Sequence, residues 1–446
     1  MKASAASPGP PKRCATLDTQ IEKLGREAYA LACELFPFCR SLSGGGVRDT
    51  LAVLDRFIPL SRVGVPSGSR IFDWEVPDEW NVSDAYVKDL RGKRVVDFKH
   101  HNLHLVSYST PVRARLKLAE LLEHIHVEKK HPDWIPYRSS YYAPNWGFCV
   151  SETQRAQLTD DEYDVCIDSR LEPGELTLAE ALIPGTSSDE VIFYTHTCHP
   201  SVANDNLSGL AVSALLAREI RRRAPLRYSY RFVFGPATIG SIAWLALNEQ
   251  RVARIRHGLV LTCLGDAGCM TYKRSRRGAA EIDRIGEYVV SGRHAGRMEP
   301  FTPYGYDERQ FCSPGFNLPV GRLTRTPNGQ YPEYHTSADN LAFISSQSLG
   351  HSIDVCLEIV RLLETNARYV NLSPKCEPRL GPRGLLNITA GNPSEREQAI
   401  LWVLNQSDGE ADLLDVATRS GISFESIAAA AAALQEAGLL KRAMPH

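Results

Sequence analysis

With 446 residues the chain is long enough for about two to three domains of roughly 150 residues each. It is 43% hydrophobic and 23% charged, which excludes a collagenous, mucin-like or wholly disordered chain. Fifty-one basic against fifty-two acidic residues leave a net charge of -1, so bulk attraction to nucleic acid or to an anionic membrane is not expected.

Residues 1–16, rich in Pro, Ser and Ala, read as a disordered tail without the apolar core of an export signal. No apolar run approaches the ~20 residues of a membrane span. Eleven cysteines without a C-x-x-C pair fit reduced, buried thiols and a cytoplasmic setting. Ile21, Leu24, Ala28, Leu31 and Leu35 recur at helical steps. Ser43 to Gly46 break that pattern, and a second short helix follows.

Residues 68–150 read as a separate β-rich insert. Its expected strands are RIFDWEVP, KRVVDFK and HLVSYSTP, with one helix over RARLKLAELLEHI. The stretches DEYDVCIDSRL and LTLAEALIPG lead back to the main domain, which takes in residues 17–67 and 151–372. There strands (VIFYTHT, YRFVFG, HGLVLTC, FNLPVGRL) alternate with helices (Leu207 to Arg223, Ser241 to Gln250, Ser345 to Thr365). That alternation predicts an α/β fold with a mainly parallel sheet flanked by helices. Residues 373–392 form a Pro/Gly linker, and residues 393–446 a small unit of three helices that resembles a winged helix.

The chemistry-bearing stretch is YTHTCHPSVANDNLSG, residues 194–209. It starts at the carboxyl end of a buried strand, where ligands of α/β sheets bind. Two histidines, a cysteine and an aspartate fall within a few residues, and imidazole and carboxylate are good zinc ligands. A hydrogen-bonded strand-to-helix turn is the plain alternative. A second stretch, EYHTSADNL, puts His335 in a polar loop before a helix, as a metal site built from separate segments requires.

Together these stretches resemble the zinc-dependent aminopeptidase superfamily, the co-catalytic exopeptidases. The resemblance implies that His196 and His335 are metal ligands and that Asp205 is the metal-bridging Asp. More narrowly, the chain is similar to a group of bacterial aminopeptidase-like proteins with HxCHP, NDNxSG, TIGS, SRRG and EYHTS motifs, a β-rich insert and a C-terminal winged-helix-like domain. The zinc exopeptidase pattern is departed from at four places. Cys198 replaces the Asp of H-x-D, Ala237 and Thr238 stand where a Glu-Glu pair is expected, and Thr262 stands where a further Asp is expected. One zinc held by His196, Asp205 and His335 is therefore expected, not two.

A general base must then come from elsewhere. The candidates are Asp266, Asp307, Glu308 and Glu333, with Asp307 and Glu308 favoured. Arg276 and Arg277 in KRSRRG, and Arg309 beside the acidic pair, are candidate anchors for a substrate carboxylate or phosphate, and the first two are expected to face the cleft. Cys198 beside His199 is read as a buried inert thiol, because adjacent strand residues point apart. His199 itself is left open between a structural and a ligand role.

The resemblance implies a metal-dependent hydrolase that cleaves an amide of a small peptide-like or aminoacyl substrate. The alternative is a catalytically degenerate descendant that binds a ligand or partner through the old cleft. Nucleic acid is not expected as a partner. Residues 393–446 carry eight acidic and four basic side chains, and the last helix, SFESIAAAAAALQE, has no Lys or Arg to meet phosphates. That Ala-rich helix suits close packing against the main domain or against another copy in a homo-oligomer.

Overall fold

The computed structural model describes residues 15–385 and 393–443. Most of the expected tail and part of the expected linker lie outside the described residues. The chain divides into two units, Met1–Glu358 and Ile359–His446.

The first unit is built on an eight-stranded sheet. Its order is Ser61–Pro66, Glu175–Ile183, Ser229–Gly235, Glu190–His196, Ile255–Leu261, Val320–Thr324, Thr271–Lys273 and Arg297–Glu299. The four strands from Ser229–Gly235 to Val320–Thr324 are mutually parallel. Antiparallel pairings join the outer strands on both sides, so the sheet is mixed around a parallel centre. Strands Glu190–His196 and Ser229–Gly235 are buried along their whole length, which explains their near-continuous apolar sequences. Helices Ala15–Leu35, Gly209–Arg221 and Ile239–Leu247 accompany the sheet in this part of the chain. One buried ion cluster crosses it: Arg231 grips both oxygens of Glu190 and reaches Glu180 at 2.7 Å.

The insert carries its own four-stranded sheet, ordered Arg94–Asp97, Glu79–Lys88, Glu162–Glu172 and Val112–Lys117. Two expectations fail there. The stretch HLVSYSTP follows a short 3-10 turn, Asn102–His104, as irregular chain and not a strand. The stretch RARLKLAELLEHI is mostly not a helix. Val112–Lys117 is a strand whose residues alternate in exposure, paired antiparallel with Glu162–Glu172, and only Leu118–Leu122 is helical. Glu162–Glu172 itself completes the insert sheet, well past residue 150.

In the second unit helices Glu395–Gln406, Leu413–Ser420 and Phe424–Glu436 accompany a three-stranded antiparallel sheet. Ser394 and Asp412 cap the first two helices through capping boxes. Ile400, Val403, Leu414, Phe424, Ile427 and Leu434 are buried. The sheet's central strand, Arg368–Asn371, comes from before the linker. No helix among the described residues is long and apolar enough to cross a membrane.

Candidate metal centre

His196 is the last residue of its buried strand, with parallel neighbours on both sides, so it stands at the crevice where the sheet's carboxyl ends open. The chain then makes an irregular turn, Ala203–Ser208, before helix Gly209–Arg221. Gly209 is required at the join, because a Cβ there would lie 2.3 Å from Asn206 Oδ1 and 2.7 Å from Leu261 O. Asp339 fixes the turn. Its carboxylate accepts the backbone N–H groups of Ala203, Asn204 and Asp205 at 3.2, 2.6 and 3.0 Å.

Asp205 is the centre of the site. His196 Nε2 stands 2.9 Å from its Oδ1, His335 Nε2 3.1 Å from its Oδ2, and His199 Nδ1 3.5 Å from its Oδ2. His196, His199 and Asp205 are buried, whereas the His335 side chain is 33% exposed and marks the open side. His199 and His335 both adopt positive φ, 78° and 57°. That left-handed conformation costs a non-glycine residue roughly 1–3 kcal/mol, and such strain concentrates at functional sites. Burial pulls the His199 imidazole down to about 3, against the attraction of Asp205, so at neutral pH it keeps a lone pair to donate. Burial disfavours ionisation of Asp205, but His199, His196 and His335 outweigh it and hold its carboxyl well below the usual range.

This donor set fits a zinc ion. His199 Nδ1 is buried without a hydrogen-bond partner among the described residues. Ligand atoms of His196, His199 and Asp205 all lie within 4.8 Å of one another. Four ligands at roughly 2.0–2.1 Å from zinc sit about 3.3 Å apart at the corners of a tetrahedron. His196 Nε2 and Asp205 Oδ1, 2.9 Å apart, approach that spacing, while His335 Nε2 and His199 Nδ1 stand 3.1 and 3.5 Å from the other oxygen, Oδ2. Where the superfamily pattern orients its first histidine with a carboxylate, Asn206 Nδ2 faces His196 Nδ1 at 3.3 Å.

Tyrosines wall the centre. Tyr306 stacks on His196 at 5.0 Å and Tyr334 on His335 at 3.9 Å. Tyr137, from the insert, meets His199 and His335 edge-on at 4.9 and 5.1 Å. Its N–H donates to His335 O at 2.7 Å, and Ser337 N–H donates to Ile135 O at 2.8 Å. The insert thus forms one side of the site.

The other candidates fall into two groups. Asp307 is fully buried, accepts from Ser241 Oγ at 2.6 Å, and leaves Oδ2 without a partner. Ser241 Oγ also reaches Thr238 O at 2.8 Å, so Asp307 stands by the Ala237–Thr238 turn, where the acidic pair is missing. Burial pushes its carboxyl up to about 7, with His196 opposing. Arg309, half-buried beside it, has an unpartnered Nε and draws the Asp307 carboxyl down. The remaining candidates have other partners. Asp266 is a brace, because its oxygens take hydrogen bonds from Asn204 Nδ2 at 3.0 Å, Thr326 Oγ1 at 2.6 Å and Gly268 N at 2.7 Å. Glu308 is tied to Lys273 Nζ at 2.9 Å and lies 3.6 Å from Arg322. Arg276 and Arg277 are exposed and bond to Asn317 at 3.0 and 2.8 Å. Cys198 accepts the Ala237 N–H at 3.3 Å, and burial raises its thiol, which leaves it a poor nucleophile.

Two families match this chain. One, described as a domain of unknown function (DUF4910), matches residues 29–366; the other, a winged helix-turn-helix, matches residues 367–442. The chain belongs to the DUF4910 family. A relative from Clostridium acetobutylicum, named for polysaccharide biosynthesis and an aminopeptidase-like domain, is 48% identical over 422 residues, covering 94% of this chain and 96% of that protein. A crystal structure from Clostridium acetobutylicum, of a protein named for a peptidase, matches with TM-score 0.90 and 46% identity over 96% of this chain and 99% of that one. A zinc aminopeptidase from Bacillus subtilis matches with TM-score 0.54 and 14% identity over 76% and 94%, which shows the shared fold. The main part of this DUF4910 chain thus has the aminopeptidase-like fold, followed by a winged helix.

Asp339 was not singled out in the sequence, although it lies four residues after His335 in the same motif. As the anchor of the Asp205 turn it should act on the metal indirectly. Asp339→Ala is expected to weaken zinc binding by about 10–100-fold, measured by competition with a chromogenic chelator. An unchanged affinity would show that the turn holds without it.

Proposed function

We propose that the chain is a zinc-dependent amide hydrolase acting on a peptide-like or aminoacyl substrate. The observation that carries this reading is the convergence of His196, His199 and His335 on a buried Asp205 at the carboxyl end of a parallel sheet. A bound zinc ion would supply Lewis acidity to the amide carbonyl. The residues that would hold it are His196, Asp205 and His335, with His199 beside them. Asp307, buried and close to half-ionised at neutral pH, would accept a proton from the attacking water and return it to the leaving amine. Tyr137, Tyr306 and Tyr334 would orient the imidazoles and exclude water from the closed side. The relative's polysaccharide name supports a biosynthetic setting for the reaction.

The Ala237–Thr238 turn, bare of carboxylates, favours a second reading, in which the cleft binds a ligand without turning it over. A turnover screen separates the two. Zinc-reconstituted protein is expected to hydrolyse members of a panel of aminoacyl and N-acyl amino acid amides, and Asp205→Ala to hydrolyse none. Zinc binding without turnover of any class would favour the second reading. We assign no nucleic-acid role to the winged helix, whose third helix, Phe424–Glu436, is without Lys or Arg.

A further inference from the structure

Arg40 is the least explained charged group in the first unit. It sits in the loop between helices Ala15–Leu35 and Gly45–Leu54 and is 1% exposed. NH1 donates to Leu35 O, while Nε and NH2 have no hydrogen-bond partner among the described residues. A guanidinium cannot shed its proton at neutral pH, and burial pulls Arg40 down only to about 10. Leaving two N–H groups of a buried cation unpaired is unfavourable, so the fold keeps the edge for an acceptor that the chain itself does not provide.

The loop that carries Arg40 adjoins the metal centre. Ser201, two residues after His199, donates to Phe36 O at 3.1 Å, and Asn102 Nδ2 donates to Pro37 O at 3.0 Å. Ser43 Oγ meets Tyr108 OH, Tyr108 packs edge-on to Tyr141, and the Tyr141 hydroxyl meets that of Tyr137, whose ring lies against His199 and His335. The Arg40 charge is felt at His199. Thr197 Oγ1, next in the chain to His196, is also buried and unpartnered among the described residues.

The shape of the free edge names the ligand. Nε–H and the facing NH2 hydrogen form the side of the guanidinium that meets both oxygens of a carboxylate at once. Among the described residues this edge is used in that way by Arg231 on Glu190 at 2.6 and 2.9 Å, Arg115 on Asp164 at 2.8 and 3.1 Å, and Arg155 on Glu152. We propose that Arg40 is the receptor for a substrate carboxylate, so that the ligand of this cleft is an amide bearing a carboxylate, such as an N-acyl amino acid or a peptide with its free carboxyl end close to the reacting bond. Arg40 then sets specificity, the role first given to Arg276 and Arg277. The inference shares its cleft with the hydrolase reading but concerns binding alone.

The test is a thermal-shift titration of the full, metal-free chain with N-acetylglycine, N-acetylglycinamide and inorganic phosphate. Wild type is expected to prefer N-acetylglycine over the amide and over phosphate by about tenfold or more, the worth of one charge-assisted fork. Arg40→Met should lose that preference, and Arg40→Lys, with the charge but not the fork, should lose most of it. Without ligand, Arg40→Met should melt no lower than wild type, because it removes an unpaired buried charge; a structural arginine would give the opposite. The proposal is overturned if wild type shows no carboxylate preference, if phosphate binds better, or if Arg40→Met melts lower while its preference is unchanged. An Arg40-dependent preference in a protein that hydrolyses nothing would sink the hydrolase reading alone.

Discussion

Purified without chelator, the protein should carry one zinc ion per chain, and Asp205→Ala should carry none. Ligand atoms of His196, His199 and Asp205 lie within 4.8 Å of one another, so one ion can reach all three, with His335 Nε2 3.1 Å from Asp205 Oδ2. A second ion would need further carboxylates. Thr238 and Thr262 have none to offer, and Asp266 is saturated by Asn204, Thr326 and Gly268. His199 adds a nitrogen that a three-ligand site does not count. Its neutral, unpartnered Nδ1 should contribute to affinity, so His199→Ala should release zinc to a competing chelator at least about tenfold more readily, the lower end of what the loss of a supporting group costs. Elemental analysis decides the count. Two tightly held ions would mean that Asp307 or Glu308 swings into the site. No ion after reconstitution would leave the ligand-binding reading standing.

How much of this was legible in the sequence depends on how local the cause is. The central strand VIFYTHT announces itself, because a strand with parallel neighbours on both sides must be apolar throughout. His196, Asp205 and His335 were legible because each stands in a short motif with its own turn chemistry. The strand Val112–Lys117 was hidden for the opposite reason. Its partner, Glu162–Glu172, lies about fifty residues on, and the true helix Leu118–Leu122 follows it without a break, so a helical period seemed to run through both. Arg276 and Arg277 misled because adjacency in the chain says nothing of direction, and their partner Asn317 is some forty residues away. Arg40 carries no signal in the sequence beyond being an arginine in a loop; only its burial and its empty edge distinguish it.

Asp307→Asn should lower kcat by about 10²–10⁴-fold with the zinc content unchanged. The case rests on position: Ser241 ties Asp307 to the turn that lacks the acidic pair, and Tyr306, its neighbour in the chain, stacks on His196. The groups that act on its carboxyl are Ser241 and Arg309, which favour the charged form with His196, and Glu308, which opposes it together with burial, the largest influence. In turn, Asp307 raises the buried Tyr194 and Cys198. A base must be ionised to accept a proton, so kcat/KM should climb with pH through about 7 and flatten above it. Asp307→Asn should lose that limb and keep only a low, flat rate. The same shift has a consequence for stability, with its sign fixed by which state holds the proton. Between the ordinary 3.8 and about 7 the folded protein keeps a proton that the unfolded chain has released. The stabilisation from this group is therefore complete below 3.8, declines as pH rises, and is gone above about 7, where the folded protein must hold a buried charge. Asp307→Asn removes that decline, so the variant should gain on wild type in melting temperature as pH rises from about 4 to about 7, the range bounded by the two values. A stability gain at high pH joined to a loss of turnover is what a buried base predicts and a structural carboxylate does not. If Asp307→Asn turns over at the wild-type rate, the proton passes through another group and this assignment is wrong.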